Sequence, residues 1–220
     1  MEDKPLTVSS SGNPESAANL AFQVAREKLL RVDDISELCR KSGARSIDTG
    51  VGKSIVVDYL NRPYRVSLPD AGISPVEGKD TIPIREKLLV LHYLLTAKGT
   101  PPAARLVSFQ ELPEGNIYYP TFLKRSVQPL VANFGADPGC LLPSTKALGG
   151  KKEVLGDVSV AINAFSRVPI KIVIWQSDAE FEARGNILFD AGVPDYLPAE
   201  DITVLCEIIS WKIIKSRPVK

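Results

Sequence analysis

Two segments of the chain, Asp157–Ile162 and Ile170–Trp175, place apolar residues at every second position: Val158, Val160 and Ile162 in the first, Ile170, Ile172 and Ile174 in the second. A period of two is the signature of a strand with one buried face, and it puts Lys171, Val173 and Trp175 on the opposite face. Ser54–Leu68 is β-rich on both sides of Asn61-Arg62 and reads as a hairpin, with Pro63 making the second strand's start irregular. No strand–helix unit repeats along the chain. The expected architecture is therefore α+β, a mostly antiparallel sheet with helices packed on it in a single compact domain.

The helices have their own signals. Pro14–Arg31 is rich in Ala, Leu, Glu and Lys. Asp34-Ile-Ser-Glu37 has the reciprocal capping-box spacing, and Gly43 is placed to end the short helix Ile35–Ser42 that follows. Ile84–Ala97 sets Ile84, Leu88, Leu91 and Leu95 on one stripe and is stopped by Gly99 and Pro101-Pro102. Tyr119–Phe134 is predicted as a helix interrupted by Pro120 and perturbed by Pro129. A short helix is expected within Pro138–Leu148, a short strand at Arg105–Gln110 and a closing helix at Ile202–Ile214. Pro69–Pro83 reads as a loop, residues 1–13 as a flexible leader and residues 14–220 as the domain.

Composition removes several classes of function. Lys and Arg number 27 against 26 Asp and Glu, a formal charge of +1, and a protein devoted to the nucleic-acid backbone needs a marked basic excess. No apolar run reaches the roughly 20 residues of a membrane span, and Met1–Gly12 has no apolar signal core, so a cytoplasmic, membrane-free protein is expected. Cys39, Cys140 and Cys206 are scattered and odd in number, as reduced thiols are. With a single histidine besides, they supply no zinc site of the usual kind and no ligand set for an iron–sulfur cluster.

Gly50-Val51-Gly52-Lys53-Ser54 looks like the end of a phosphate-binding loop, but Ile47 stands where the motif needs glycine and Ser54 opens a β-rich run instead of a helix. A turn before a strand is expected there. His92 sits one turn from Leu88 and Leu95, so a hydrogen-bonded, partly buried histidine is expected rather than a free general base. Cys140, at a predicted helix start, has no histidine other than His92 to activate it.

The densest concentration of chemistry is Trp175–Asp201, where Asp178, Glu180, Glu182, Asp190, Asp195, Glu200 and Asp201 are interleaved with Trp175, Phe181, Phe189, Tyr196 and Arg184. Paired carboxylates can exchange protons or hold a hard cation, and aromatic rings can stack a planar ligand. Pro198 suits the first position of a helix, so Glu200 and Asp201 are read as charges that complement its dipole. Asp190 before Ala-Gly is read as a turn residue, and Phe181, Leu188 and Phe189 as core.

Several motifs in order carry a family likeness: Leu91-His92-Tyr93-Leu94-Leu95, Pro113-x-Gly115-x-x-Tyr118-Tyr119-Pro120-x-Phe122, Trp175-x-x-Asp178-x-Glu180-Phe181, Asn186-Ile187-Leu188-Phe189-Asp190 and Leu197-Pro198-x-Glu200-Asp201. Together they resemble a domain family of unknown function from anaerobic bacteria and archaea, over about residues 14–211. The resemblance implies cytoplasmic proteins, some fused to iron–sulfur modules and some from organisms rich in corrinoid-dependent methyl transfer. It implies no catalytic residues, and this chain lacks the Cys-rich segment of the fused forms.

Three functions remain compatible with these residue types. The leading expectation is an accessory binding protein of anaerobic metabolism. It would hold a small anionic or tetrapyrrole/corrinoid-like ligand, or an iron–sulfur or corrinoid redox partner protein, between the Trp175–Asp201 segment and the His92 helix. The alternatives are a hydrolase or transferase using Asp178, Glu180 or Asp190 with Arg184, and a protein–protein module presenting Tyr118-Tyr119 or Trp211. The candidate ligand-binding residues are Trp175, Asp178, Glu180, Arg184, Asn186, Asp190, His92 and Tyr119.

Overall fold

A computed structural model describes residues 14–48, 50 and 52–218, so the expected leader at residues 1–13 and Val51 of the Gly50–Ser54 stretch, where a turn is expected, lie outside the described residues. The order begins with α1 (Pro14–Leu30), α2 (Ile35–Ser42), β1 (Arg45–Asp48), β2 (Lys53–Tyr59), β3 (Arg62–Ser67), β4 (Ile73–Pro75), α3 (Ile84–Thr96) and β5 (Leu106–Ser108). It continues through α4 (Gly115–Phe122), α5 (Gln128–Phe134), α6 (Leu141–Ser144), β6 (Lys151–Glu153), β7 (Val158–Phe165), β8 (Val168–Trp175), β9 (Arg184–Asp190) and α7 (Ala199–Lys215). The described strands form one antiparallel sheet in the order β4-β3-β2-β7-β8-β9-β5, with β1 added beside β2 and β6 beside β7. The α+β expectation holds.

Side-chain alternation divides the sheet into two faces. Val160, Ile162, Ile170, Ile172, Ile174, Ile187 and Phe189 are fully buried on the face covered by the helices. α7 closes that layer with Leu205, Cys206, Ile209 and Ile213. The registers Val173↔Asn186 and Trp175↔Arg184 put those four side chains together on the opposite face. On that face the Lys171 ammonium reaches Glu153 at 3.1 Å across the small residues of β7.

Differences from the sequence reading have local physical causes. The β2–β3 turn is Leu60–Asn61, one residue earlier than expected, with both residues left-handed (φ 48° and 64°), as a two-residue hairpin of this hand requires. On α3 the buried apolar side chains are Leu89, Val90, Leu91, Tyr93 and Leu94, with Glu86 buried beside them, while Ile84, Leu88 and Leu95 are half-buried. The helix is flanked on two sides, so its apolar face is broader than one stripe. Asp34 caps α2 by accepting from the Glu37 amide at 2.9 Å, but Glu37 completes no box because its carboxylate takes Arg40 at 2.6 Å.

The segment predicted as one helix from Tyr119 begins at Gly115 and passes through a π turn over Leu123–Val127, with the Gln128 amide donating to the Leu123 carbonyl. Pro129 has no N–H to offer the turn before it and its ring crowds that turn, which the wider π geometry relieves. Glu207 of α7 fastens this turn, taking Arg125 at 3.5 Å and Arg85 of α3 at 2.7 Å.

Candidate functional site

β8 and β9 are joined by residues 176–183, and a cleft lies at this end of the hairpin. It has a volume of about 560 Å³, within the ordinary range for small-molecule sites. Trp175 (41 % exposed) and Phe181 (57 % exposed) contribute their rings, and the Arg184 guanidinium lies 5.8 Å from the Phe181 ring centroid. Asn186 follows Arg184 on the same face of β9. Asp157, Asp178 and Glu182 also line the cleft, so its three carboxylates outnumber its one guanidinium.

The loop is shaped by its own residues. Asp178 Oδ1 accepts from the Glu180 amide at 2.8 Å and the Phe181 amide at 2.7 Å, and the Phe181 carbonyl in turn accepts from the Asp178 amide at 3.0 Å. These local bonds hold Phe181 at the rim. Asp157 Oδ2 accepts from the Gln176 amide at 2.8 Å, tying the β6–β7 connection to the end of β8. Beneath the hairpin, Gly185 faces α5, where a Cβ would lie 2.7 Å from Val131 Cγ2. Gly156 lies against Trp175, where a Cβ would come within 3.2 Å of the indole.

The two backbone amides hold the Asp178 carboxyl below its ordinary value of 3.8. A depressed carboxyl contributes its order above the unfolded value and loses it as pH falls through the folded value. We therefore expect the Phe181 amide resonance to follow the Asp178 carboxyl with a midpoint below 3.8 as pH is lowered. A midpoint above 3.8 in a ¹⁵N titration would contradict the capping role.

The candidate residues fall into three places. Trp175, Asp178, Arg184 and Asn186 line the cleft, and Glu180 stands in its loop. Asp190 is at the far end of β9, about 20 Å along the strand. There its two oxygens accept from the amides of Ala103, Ala104 and Gly192 at 2.8 to 3.0 Å, fixing the chain that leads into β5. His92 and Tyr119 line no part of the cleft; His92 Nδ1 meets Asp201 Oδ2 at 2.8 Å between α3 and α7, with the imidazole 32 % exposed. Asp201 is thus more than a helix-start charge, and the cleft is not walled by the His92 helix. Phe181, read as core, is at the surface. Among the described residues no three His, Cys, Asp or Glu side chains converge as a metal-binding group. Nor is any described helix long and apolar enough to cross a membrane.

A family described as a domain of unknown function, DUF3786, matches residues 34–211. The chain belongs to this family. The match begins at the cap of α2 and ends within α7, so the family's domain contains the whole described sheet and the cleft, while α1 precedes it. The resemblance to a domain family of unknown function is borne out at that level. No curated protein and no solved structure matches the chain.

Asp157, Gln176 and Gly185 complete the cleft without having stood out in the sequence, and Glu182, one of the carboxylates of the Trp175–Asp201 segment but not one of the candidate ligand-binding residues, joins them. Asp157 and Gln176 carry a legible signal, since each flanks an alternating strand. The pairing that brings them together does not show in either segment alone.

Proposed function

We propose that this protein is an accessory binding protein that takes a planar ligand at the β8–β9 hairpin. One observation supports the reading above the others: two exposed rings, Trp175 and Phe181, share a cleft with the guanidinium of Arg184 at the open end of the β8–β9 hairpin. Exposed aromatic rings in a concavity are apolar surface whose burial by a flat molecule is favourable. With carboxylates outnumbering the guanidinium, a neutral or cationic planar ligand suits the cleft better than an anionic one. A corrinoid or other tetrapyrrole edge, bound or presented by a partner protein, fits that chemistry and the anaerobic setting suggested by the resemblance. The carboxylates of the enzymatic alternative are less apt, because Asp178 is committed to backbone amides and Asp190 lies at the other end of β9.

The test is a titration of cobinamide and adenosine followed by Trp175 fluorescence in a Trp211→Phe background, with the spectrum and mass of anaerobically purified protein read beforehand. Saturable quenching is expected, and Trp175→Ala should weaken binding about tenfold or more when it is followed calorimetrically. Unsaturable quenching with both probes, together with protein purified free of any chromophore, would remove the support for the reading.

A further inference from the structure

A second cavity, of about 300 Å³, opens where β2 meets β7. Its origin is topological. One edge of β7 is divided between two neighbours: Ser159–Ala161 pair with β6, while Phe165 pairs with Tyr59 at the end of β2 and Ala164 accepts from the Leu60 amide at 2.9 Å. Between these contacts, Ile162 and Asn163 pair with neither strand, and the ladder is irregular at Asn163/Phe165 on the β8 side. Such irregularities recur beside binding sites. The Leu60–Asn61 turn is pressed against the start of β6, where a Cβ at Gly149 would lie 2.8 Å from Asn61 Oδ1. Leu60 is buried in a left-handed conformation that costs a leucine about 1 kcal/mol or more.

The lining is chemically specific. Leu148 and Phe165 supply its apolar part, and Asn61, Asn163, Ser166, Lys151 and Asp58 its polar part. Asp58 is already matched, with Oδ2 3.5 Å from the Arg45 guanidinium. The side chains of Lys151, Asn61, Asn163 and Ser166 have no hydrogen-bond or ion-pair partner among the described residues. One unmatched ammonium therefore stands beside two carboxamides and a hydroxyl, each able both to donate and to accept.

We propose that this cavity binds a small polyhydroxylated anion, of the sugar-acid or sugar-phosphate class. The anionic group meets Lys151, and the hydroxyls exchange hydrogen bonds with Asn61, Asn163 and Ser166. The volume suits a single sugar unit, since it lies at the lower bound of about 300 Å³ for small-molecule pockets. The site is separate from the cleft at Trp175, with which it shares no lining residue, and it does not depend on the function proposed there.

The experiment follows the side-chain amides of Asn61 and Asn163 in ¹H–¹⁵N spectra of the full chain during titration with gluconate, glucose 6-phosphate, glucose and inorganic phosphate. Gluconate or glucose 6-phosphate should shift both amides saturably, and whichever binds tighter identifies the anionic group. Lys151→Met should weaken that probe about tenfold or more, the scale of one charge-assisted hydrogen bond, and should leave any weak binding of glucose unchanged. Lys151 is exposed, so its replacement leaves the fold intact; Asn163→Ala is a second variant, expected to weaken both sugar probes. The proposal is overturned if neither sugar anion moves the two amides, if Lys151→Met binds as tightly as the native protein, or if inorganic phosphate binds as tightly as the sugar anions.

Discussion

Truncating Phe122 to alanine is expected to lower the unfolding free energy by about 3–5 kcal/mol. Phe122 is wholly buried as the last residue of α4, its ring stacked on Phe109 with centroids 4.0 Å apart and planes 10° from parallel. Phe189 of β9 packs 6.3 Å away. The three rings fasten the helix that leads into the π turn to the strand that carries one wall of the cleft. Their removal leaves a cavity and forfeits ring–ring contacts of about 0.5–1.5 kcal/mol each beyond area burial. Phe181→Ala is the informative contrast, because that ring is exposed: stability should stay within about 0.5 kcal/mol while planar-ligand binding falls. A Phe122→Ala midpoint in urea close to that of the native protein, at unchanged slope, would contradict the packing.

Replacing Gly156 by alanine is expected to destabilise the protein by about 2–4 kcal/mol, combining left-handed strain with overpacking. Gly156 has φ +58°, and a Cβ there would lie 2.6 Å from Val173 Cγ1 and 3.2 Å from Trp175 Cε2. Val173 is buried, so its methyl has little room to retreat. For a chain of this size the expected effect is a melting-temperature decrease of roughly 5–15 °C by calorimetry. The indole must also shift, so affinity at the cleft falls with stability. Adding Val173→Ala should restore part of the loss, since the clash is with its methyl group. If Gly156→Ala melts as the native protein does, the β6–β7 connection does not press on Trp175 as described.

The strands that alternate strongly, β7 and β8, and the helices with clear stop signals are legible in the sequence because local pattern and tertiary burial agree in them. β9 is not. Arg184-Gly185-Asn186 is poor strand material by composition, and Gly185 is there because Val131 of α5 comes too close for a side chain, a constraint set by a segment more than fifty residues away. The same holds for β1, β4 and β6, short edge pieces whose pairing partners define them. The aromatic and charged density of Trp175–Asp201 points to the cleft but does not say which residues share it. Strand parity sends Trp175 and Arg184 to one face, local amide bonds turn Phe181 outward, and the length of β9 carries Asp190 away. His92 is read correctly as hydrogen-bonded and partly buried, and its partner Asp201 is hidden because 109 residues separate them.

The β2–β7 junction has a mechanical consequence. Among the described residues β1–β4 and β5–β9 meet through the single register pair Tyr59↔Phe165, so almost no backbone ladder crosses between them. What crosses is a column of rings: Tyr59 and Phe165 at 5.0 Å, Phe165 and Tyr93 at 4.1 Å, Tyr93 and Tyr196 at 6.2 Å. The two leaves of the sheet are therefore held to each other by side-chain packing within one continuous buried core rather than by a ladder, and each keeps its register through its own hairpins.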